Sequence, residues 1–106
     1  MEDFKLIYRI LRFLNETMKN EEFDHRHFNG GHFSASGAEW AAVLEMLADS
    51  GYIKGVELDR AADGHVEISL SRPRITIEGL EYLHGNEFML KASAEAKGIS
   101  TVAKSS

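Results

Sequence analysis

The stretch GYIKGVELDRAADGHVEISLSRPRITIEGLEYL, residues 51–83, decides the fold. Gly51 stands where an amphipathic run ends, and a glycine adopts the left-handed conformation that stops a helix without a steric penalty. Val56 and Leu58 then alternate with Glu57 and Asp59, and Val66, Ile68 and Leu70 alternate with Glu67 and Ser69. A period of two in both runs predicts two strands, each burying one face, joined by a turn near Asp63-Gly64. Pro73 has no N–H to give to a ladder, so the second strand is expected to end near Ser71. Arg72-Pro73-Arg74-Ile75-Thr76 leads into a short helix, capped by Thr76 and carrying Leu80, Tyr82 and Leu83, that breaks at His84-Gly85. Asn86 is placed to cap a last helix through about Lys97. A helix that stops at a glycine, feeds a two-stranded ribbon and returns into a capped helix is the outline of a winged helix.

Working outward, Phe4, Ile7, Tyr8, Leu11, Leu14 and Met18 recur at helical spacing, and Leu6, Ile10 and Phe13 widen the stripe. This predicts a first helix from about Glu2 to Lys19, buried on more than one side. Asn20 to Ala35 is charged and then rich in histidine and glycine, with Phe23, Phe28 and Phe33 as its apolar anchors. It reads as a short extended piece followed by a brief helix. Ser36-Gly37-Ala38-Glu39 fits a capping box, and Trp40, Val43, Leu44 and Leu47 follow at i, i+3, i+4 and i+7. That run is expected to be the third helix of a trihelical core. The fold class is therefore α+β: a winged helix made of a trihelical core with a β-hairpin wing, plus C-terminal helices.

A chain of 106 residues holds one core of useful size, which predicts a single domain over residues 1–97 and a flexible polar tail over 98–106. The longest apolar runs are far too short to cross a bilayer. The acidic start Met1-Glu2-Asp3 fits neither a signal peptide nor an arginine-rich transit peptide, and cysteine is absent, so the expected location is cytoplasmic. Seventeen acids against twelve bases, a formal charge of −5, argue against wholesale wrapping by nucleic acid, whose affinity comes chiefly from neutralised phosphates.

The opening Asp3-Phe4-Lys5-Leu6-Ile7-Tyr8-Arg9-Ile10-Leu11, the central Gly51-Tyr52-Ile53-Lys54-Gly55-Val56, Pro73-Arg74-Ile75-Thr76 with Gly79-Leu80-Glu81-Tyr82-Leu83, and the terminal Ala96-Lys97-Gly98-Ile99 stand in this order across nearly the whole chain. In these pieces the chain resembles the YjcQ-like family of small bacterial and prophage proteins. The resemblance implies a winged-helix fold and a phage or prophage setting. It implies no enzyme activity and carries over no catalytic residues. The histidine-rich stretch from His25 to His32 departs from the family pattern.

In a DNA-binding winged helix the third helix presents polar side chains to base edges. Here its expected solvent face is Ala38, Glu39, Ala41, Ala42, Glu45 and Asp49, without a single lysine or arginine, which disfavours phosphate approach and suits another protein chain. The wing and its exit carry Lys54, Arg60, Arg72 and Arg74, the candidate phosphate contacts, against the bland reading of a solvated hairpin of mixed charge. Lys5, Arg9, Arg12 and Lys19 line up on the first helix as a second basic stripe. His25 and His27 would share a face on a strand, with His32 following, but the segment lacks cysteine and the helical i, i+4 spacing, so surface histidines are expected and no metal. Ser34 and Ser36 lack a Gly-x-Ser-x-Gly elbow, and Gly30-Gly31 lacks the lysine of a phosphate loop. Trp40 and Tyr52 are possible stacking platforms, although helical register assigns Trp40 to the core. The expectation is thus a non-enzymatic module without cofactor. Its leading role is DNA binding or accessory transcription regulation, and the alternative is protein–protein interaction with a homodimer through the C-terminal helix.

Overall fold

The structure, a computed structural model, describes residues 2–19 and 25–96. The tail 98–106 and the extended piece expected after Asn20 lie outside these residues. The first helix, α1, runs Glu2–Thr17 and buries Leu6, Ile7, Tyr8, Ile10, Leu11 and Leu14, so it enters the core on more than one side, as its broad stripe requires. Among the described residues no helix is long and apolar enough to cross a membrane.

Among the described residues, the middle helix of the expected trihelical core is a three-residue 3-10 turn, His25–His27. Beyond it the chain is held by turns rather than by a helix. The Asn29 side chain donates to the Arg26 carbonyl at 2.8 Å and accepts from the His32 N–H at 2.9 Å, and the Ala35 N–H reaches the Gly30 carbonyl at 2.8 Å. Ring packing fixes this segment: Phe33 stacks on Trp40 at 5.3 Å, Phe28 meets Trp40 edge-on at 5.1 Å, and Phe13 of α1 reaches both phenylalanines. The physical reason for the correction is that aromatic contacts and an Asx-type turn replace the repeating backbone bonds a helix would supply.

The second helix, α2, runs Gly37–Asp49. Ser36 accepts from the Glu39 N–H at 3.1 Å, the serine half of a capping box. Trp40, Val43, Leu44 and Leu47 are all buried, as their spacing demands. Gly51 takes φ +78° and the Tyr52 N–H returns to the Leu47 carbonyl at 3.0 Å, closing the helix.

Two antiparallel strands follow, β1 over Ile53–Arg60 and β2 over Val66–Ile75. Their loop closes through the Gly64 N–H to the Ala61 carbonyl at 2.9 Å, with Gly64 at φ +93°. Contrary to expectation, β2 does not end near Ser71. Pairing resumes beyond Pro73, with Lys54 opposite Arg74 and Ile53 opposite Ile75. Between these pairs and Val56 opposite Leu70, the single residue Gly55 faces Ser71, Arg72 and Pro73. Pro73 is thus accommodated in a bulge, where a missing ladder donor does no harm. Arg72 takes φ +53° and Gly55 φ +83°, and a Cβ on Gly55 would lie 2.5 Å from the carbonyl oxygens of both Ser71 and Arg72.

Thr76 caps the third helix, α3, over Ile77–Gly85, accepting from the Gly79 N–H at 3.0 Å. Asn86 caps the fourth, α4, over Glu87–Ala96, accepting from the N–H groups of Phe88 at 2.8 Å and Met89 at 3.3 Å. The buried side chains form one cluster from Leu6 to Ala92. The architecture is α+β: among the described residues, four α-helices and a two-stranded antiparallel hairpin, an arrangement compatible with a winged helix.

Two substitution series test this packing. Trp40→Ala, emptying a site shared with Phe28 and Phe33, is expected to destabilise by on the order of 3–5 kcal/mol in urea melts. Gly51→Ala meets open space and loses only its left-handed freedom, about 1 kcal/mol, whereas Gly55→Ala also collides with backbone carbonyls and should lose roughly 2 kcal/mol or more. Equal melting temperatures for the two glycine variants would remove the bulge.

Candidate functional site

The exposed side of α2 and the inner side of the hairpin enclose a groove of about 600 Å³. Strand register builds one wall. Because Val56 pairs with Leu70, Leu58 with Ile68 and Arg60 with Val66, these six side chains share the face turned to α2, while Glu57, Ser69, Asp59 and Glu67 share the opposite face. Leu58, Val66 and Ile68 are half-buried. From α2 come Ala38, Ala41 and Ala42, whose small side chains leave the space open, and the longer Glu45.

Two residues expected to serve different partners meet across this groove. Arg60 Nη2 lies 3.7 Å from Glu45 Oε1, so the wing cation nearest the tip is turned toward an acid of α2. Glu39, Glu45 and Asp49 leave α2 with no compensating base along its length. Among the expected surface residues of α2, Ala38, Ala42 and Asp49 are exposed and Ala41, Glu39 and Glu45 half-buried. Met46, which periodicity did not single out, is 49% exposed.

The remaining wing cations gather at the opposite end of the hairpin. Lys54 and Arg74 are directly paired across the ladder and share one face, with Arg72 at the apex of the bulge. Arg74 Nη1 donates to the Arg72 carbonyl at 3.1 Å, and among the described residues no carboxylate pairs with Lys54, Arg72 or Arg74. Six residues of strand, about 20 Å, separate Lys54 from Arg60, so the four expected phosphate contacts do not form one cluster.

The basic stripe expected along α1 is largely engaged within the chain. Lys5 pairs with Glu95 at 3.2 Å and Arg12 with Glu16 at 3.0 Å. Arg9 donates to the Phe33 carbonyl at 2.9 Å and stands 5.3 Å over its ring. The histidines do not assemble as a strand face, because His25 and His27 lie in a 3-10 turn. The His27 ring instead lies 5.0 Å from that of His32, which also packs edge-on against Phe33, and the side chain of His25 lies outside the described residues. At the wing tip His65 Nδ1 touches Asp63 Oδ1, and its Nε2 lies 3.4 Å from Glu67 Oε1. Among the described residues no group of three His, Asp or Glu side chains is arranged to hold a metal ion.

A family model described as YjcQ protein matches residues 8–102, a span that takes in the groove, the bulge and the caps Ser36, Thr76 and Asn86. The chain belongs to the YjcQ family. A search of curated proteins and a search of solved structures each found no match, so family membership is what comparison adds to the geometry of this YjcQ chain.

The Glu45–Arg60 contact is long, with Arg60 largely solvated and Glu45 half-buried, so it orients the groove walls more than it holds them together. A double-mutant cycle with Glu45→Gln and Arg60→Gln is expected to show a coupling below about 0.5 kcal/mol, shrinking further in high salt. A coupling above about 1.5 kcal/mol would show that the pair locks the hairpin to α2.

Proposed function

We propose that this YjcQ-family chain is a non-enzymatic binding module of the winged-helix type, formed by residues 1–97 as one domain, whose partner is another protein. The observation that carries the reading is the groove between α2 and the hairpin. It has an aliphatic wall of Leu58, Val66 and Ile68, an opposite wall of small alanines, and acids along the α2 side. An apolar floor beside carboxylates complements a segment that presents aliphatic and basic side chains together, and the chain's charge of −5 favours the same partner. A second copy of the chain is the simplest alternative partner, bound outside the groove: Leu90 of α4, 53% exposed, is where a homodimer through the C-terminal helix would form.

The alternative is a DNA role in a phage-related, cytoplasmic setting, and one observation supports the DNA contact itself. Lys54, Arg72 and Arg74 stand together without acidic partners at the hairpin base, the arrangement that contacts a phosphate backbone. On this reading the contact is electrostatic and independent of sequence, because α2 offers acids where base readout needs donors.

The readings separate experimentally. Ala38→Arg and Ala42→Arg fill the groove from exposed positions and should abolish capture of a protein partner without lowering the melting temperature, whereas a homodimer through α4 should dissociate in Leu90→Arg instead. Arg72→Gln with Arg74→Gln should leave both untouched. In low-salt anisotropy titrations any duplex binding should lose about two phosphate contacts of salt slope in the Arg72→Gln, Arg74→Gln variant, and should strengthen when Glu39 and Glu45 become Gln. Sequence-specific binding that vanishes on changing Glu39 or Glu45 would overturn the protein-partner reading in favour of a DNA reader.

A further inference from the structure

A second concavity, about 380 Å³, opens on the other side of α2, where its C-terminal end meets α1 and α3. Asp3, Phe4 and Ile7 line it from α1, Met46, Leu47 and Ser50 from the end of α2, and Tyr52 and Tyr82 close it. Tyr52 and Tyr82 are stacked with centroids 4.5 Å apart, and Phe4 is held flat against Phe88 at 4.4 Å, so three of the lining rings are fixed by a neighbour on one face. Burial, and secondarily Tyr52, raise the Tyr82 phenol above its ordinary value.

Three features of this pocket favour positive charge, and none depends on the others. The lining contains one charged side chain, the exposed carboxylate of Asp3. The last turn of α2 carries no base to offset its partial negative end, and holds Asp49 there instead. Aromatic rings attract a cation over their faces, and a guanidinium stacks on tyrosine while its edge meets a carboxylate. Exposed Met46 adds a pliable apolar surface for an alkyl stem.

We propose that the pocket between Asp3, Phe4, Tyr52 and Tyr82 receives an arginine side chain of a partner protein. The site shares no lining residue with the groove, so either can fail without the other. Arginine is preferred over lysine because its planar head matches stacked rings and a single carboxylate at once, whereas an ammonium keeps its hydration more tightly.

The test is an aromatic proton NMR titration of the whole chain with N-acetyl-arginine amide, N-acetyl-lysine amide and N-acetyl-norleucine amide. Saturable shifts of the Tyr52 and Tyr82 ring resonances are expected, strongest for arginine and weakest for norleucine. Asp3→Asn, an exposed and structurally mild change, should weaken the arginine response by about two- to fivefold, the range of a solvated ion pair. Glu57→Gln, a carboxylate on the far face of the hairpin, should leave it unchanged. An equal response to norleucine, an arginine response indifferent to Asp3→Asn, or no shift at the solubility limit of the amide would each overturn the proposal. Shifts confined to the ring resonances of Trp40 and His65 would do the same, since both residues line the groove and would assign the cation to it.

Discussion

Thr76 sits where three elements converge, and its bonds set the position of everything after α2. Its hydroxyl donates to the Gly51 carbonyl at 2.5 Å, its N–H reaches the Tyr52 carbonyl at 3.0 Å, and the same hydroxyl oxygen accepts from Gly79 at the start of α3. The end of one helix, the base of the hairpin and the beginning of the next helix are thereby tied to one side chain. Gly79 completes the junction, because a Cβ there would collide with the Tyr52 carbonyl. Buried Ile53 and Ile75 pair just outside this knot, so the hairpin leaves the core in a fixed direction, and the groove beside α2 follows from that direction.

Much of this was legible in sequence because it is local. The Ser36, Thr76 and Asn86 caps, the left-handed stop at Gly51 and the buried stripe from Trp40 to Leu47 each depend on residues within one or two turns of one another. The alternation in both strands likewise gave the correct inner face. The segment from His25 to Ala35, where a brief, weak helix was expected and a 3-10 turn stands at His25–His27, was only partly legible for the opposite reason. Its order comes from Phe28 and Phe33 packing on Trp40 and Phe13, and contacts between rings distant in sequence leave no period to detect.

The candidate site was legible as a set of residues and not as an arrangement. The acids and alanines of α2 and the wing cations were separately visible, but Arg60 facing Glu45 requires both the strand register and the packing of hairpin on helix. The cations of α1 show the same limit: helical spacing aligned Lys5, Arg9 and Arg12, and only tertiary structure directs them to Glu95, Phe33 and Glu16. A glycine within a strand pattern with a proline opposite is a bulge signal, and reading Gly55 with Pro73 together would have extended β2 to its full length.

The one-against-three bulge also determines how this chain tolerates insertion and deletion. Ile53 and Val56 are both buried although three positions apart, as are Ile75 and half-buried Leu70 five apart, so the bulge resets side-chain parity on each strand. Removing or adding one residue in β1 between Lys54 and Val56 would rotate the distal half of that strand by half a pleat, turning Glu57 and Asp59 toward α2 and Leu58 into solvent. A change of chain length at Ala62 or Asp63, in the loop at the tip, leaves that parity intact. Length variation among relatives that keep this architecture should therefore concentrate at the tip of the hairpin and be absent from its base.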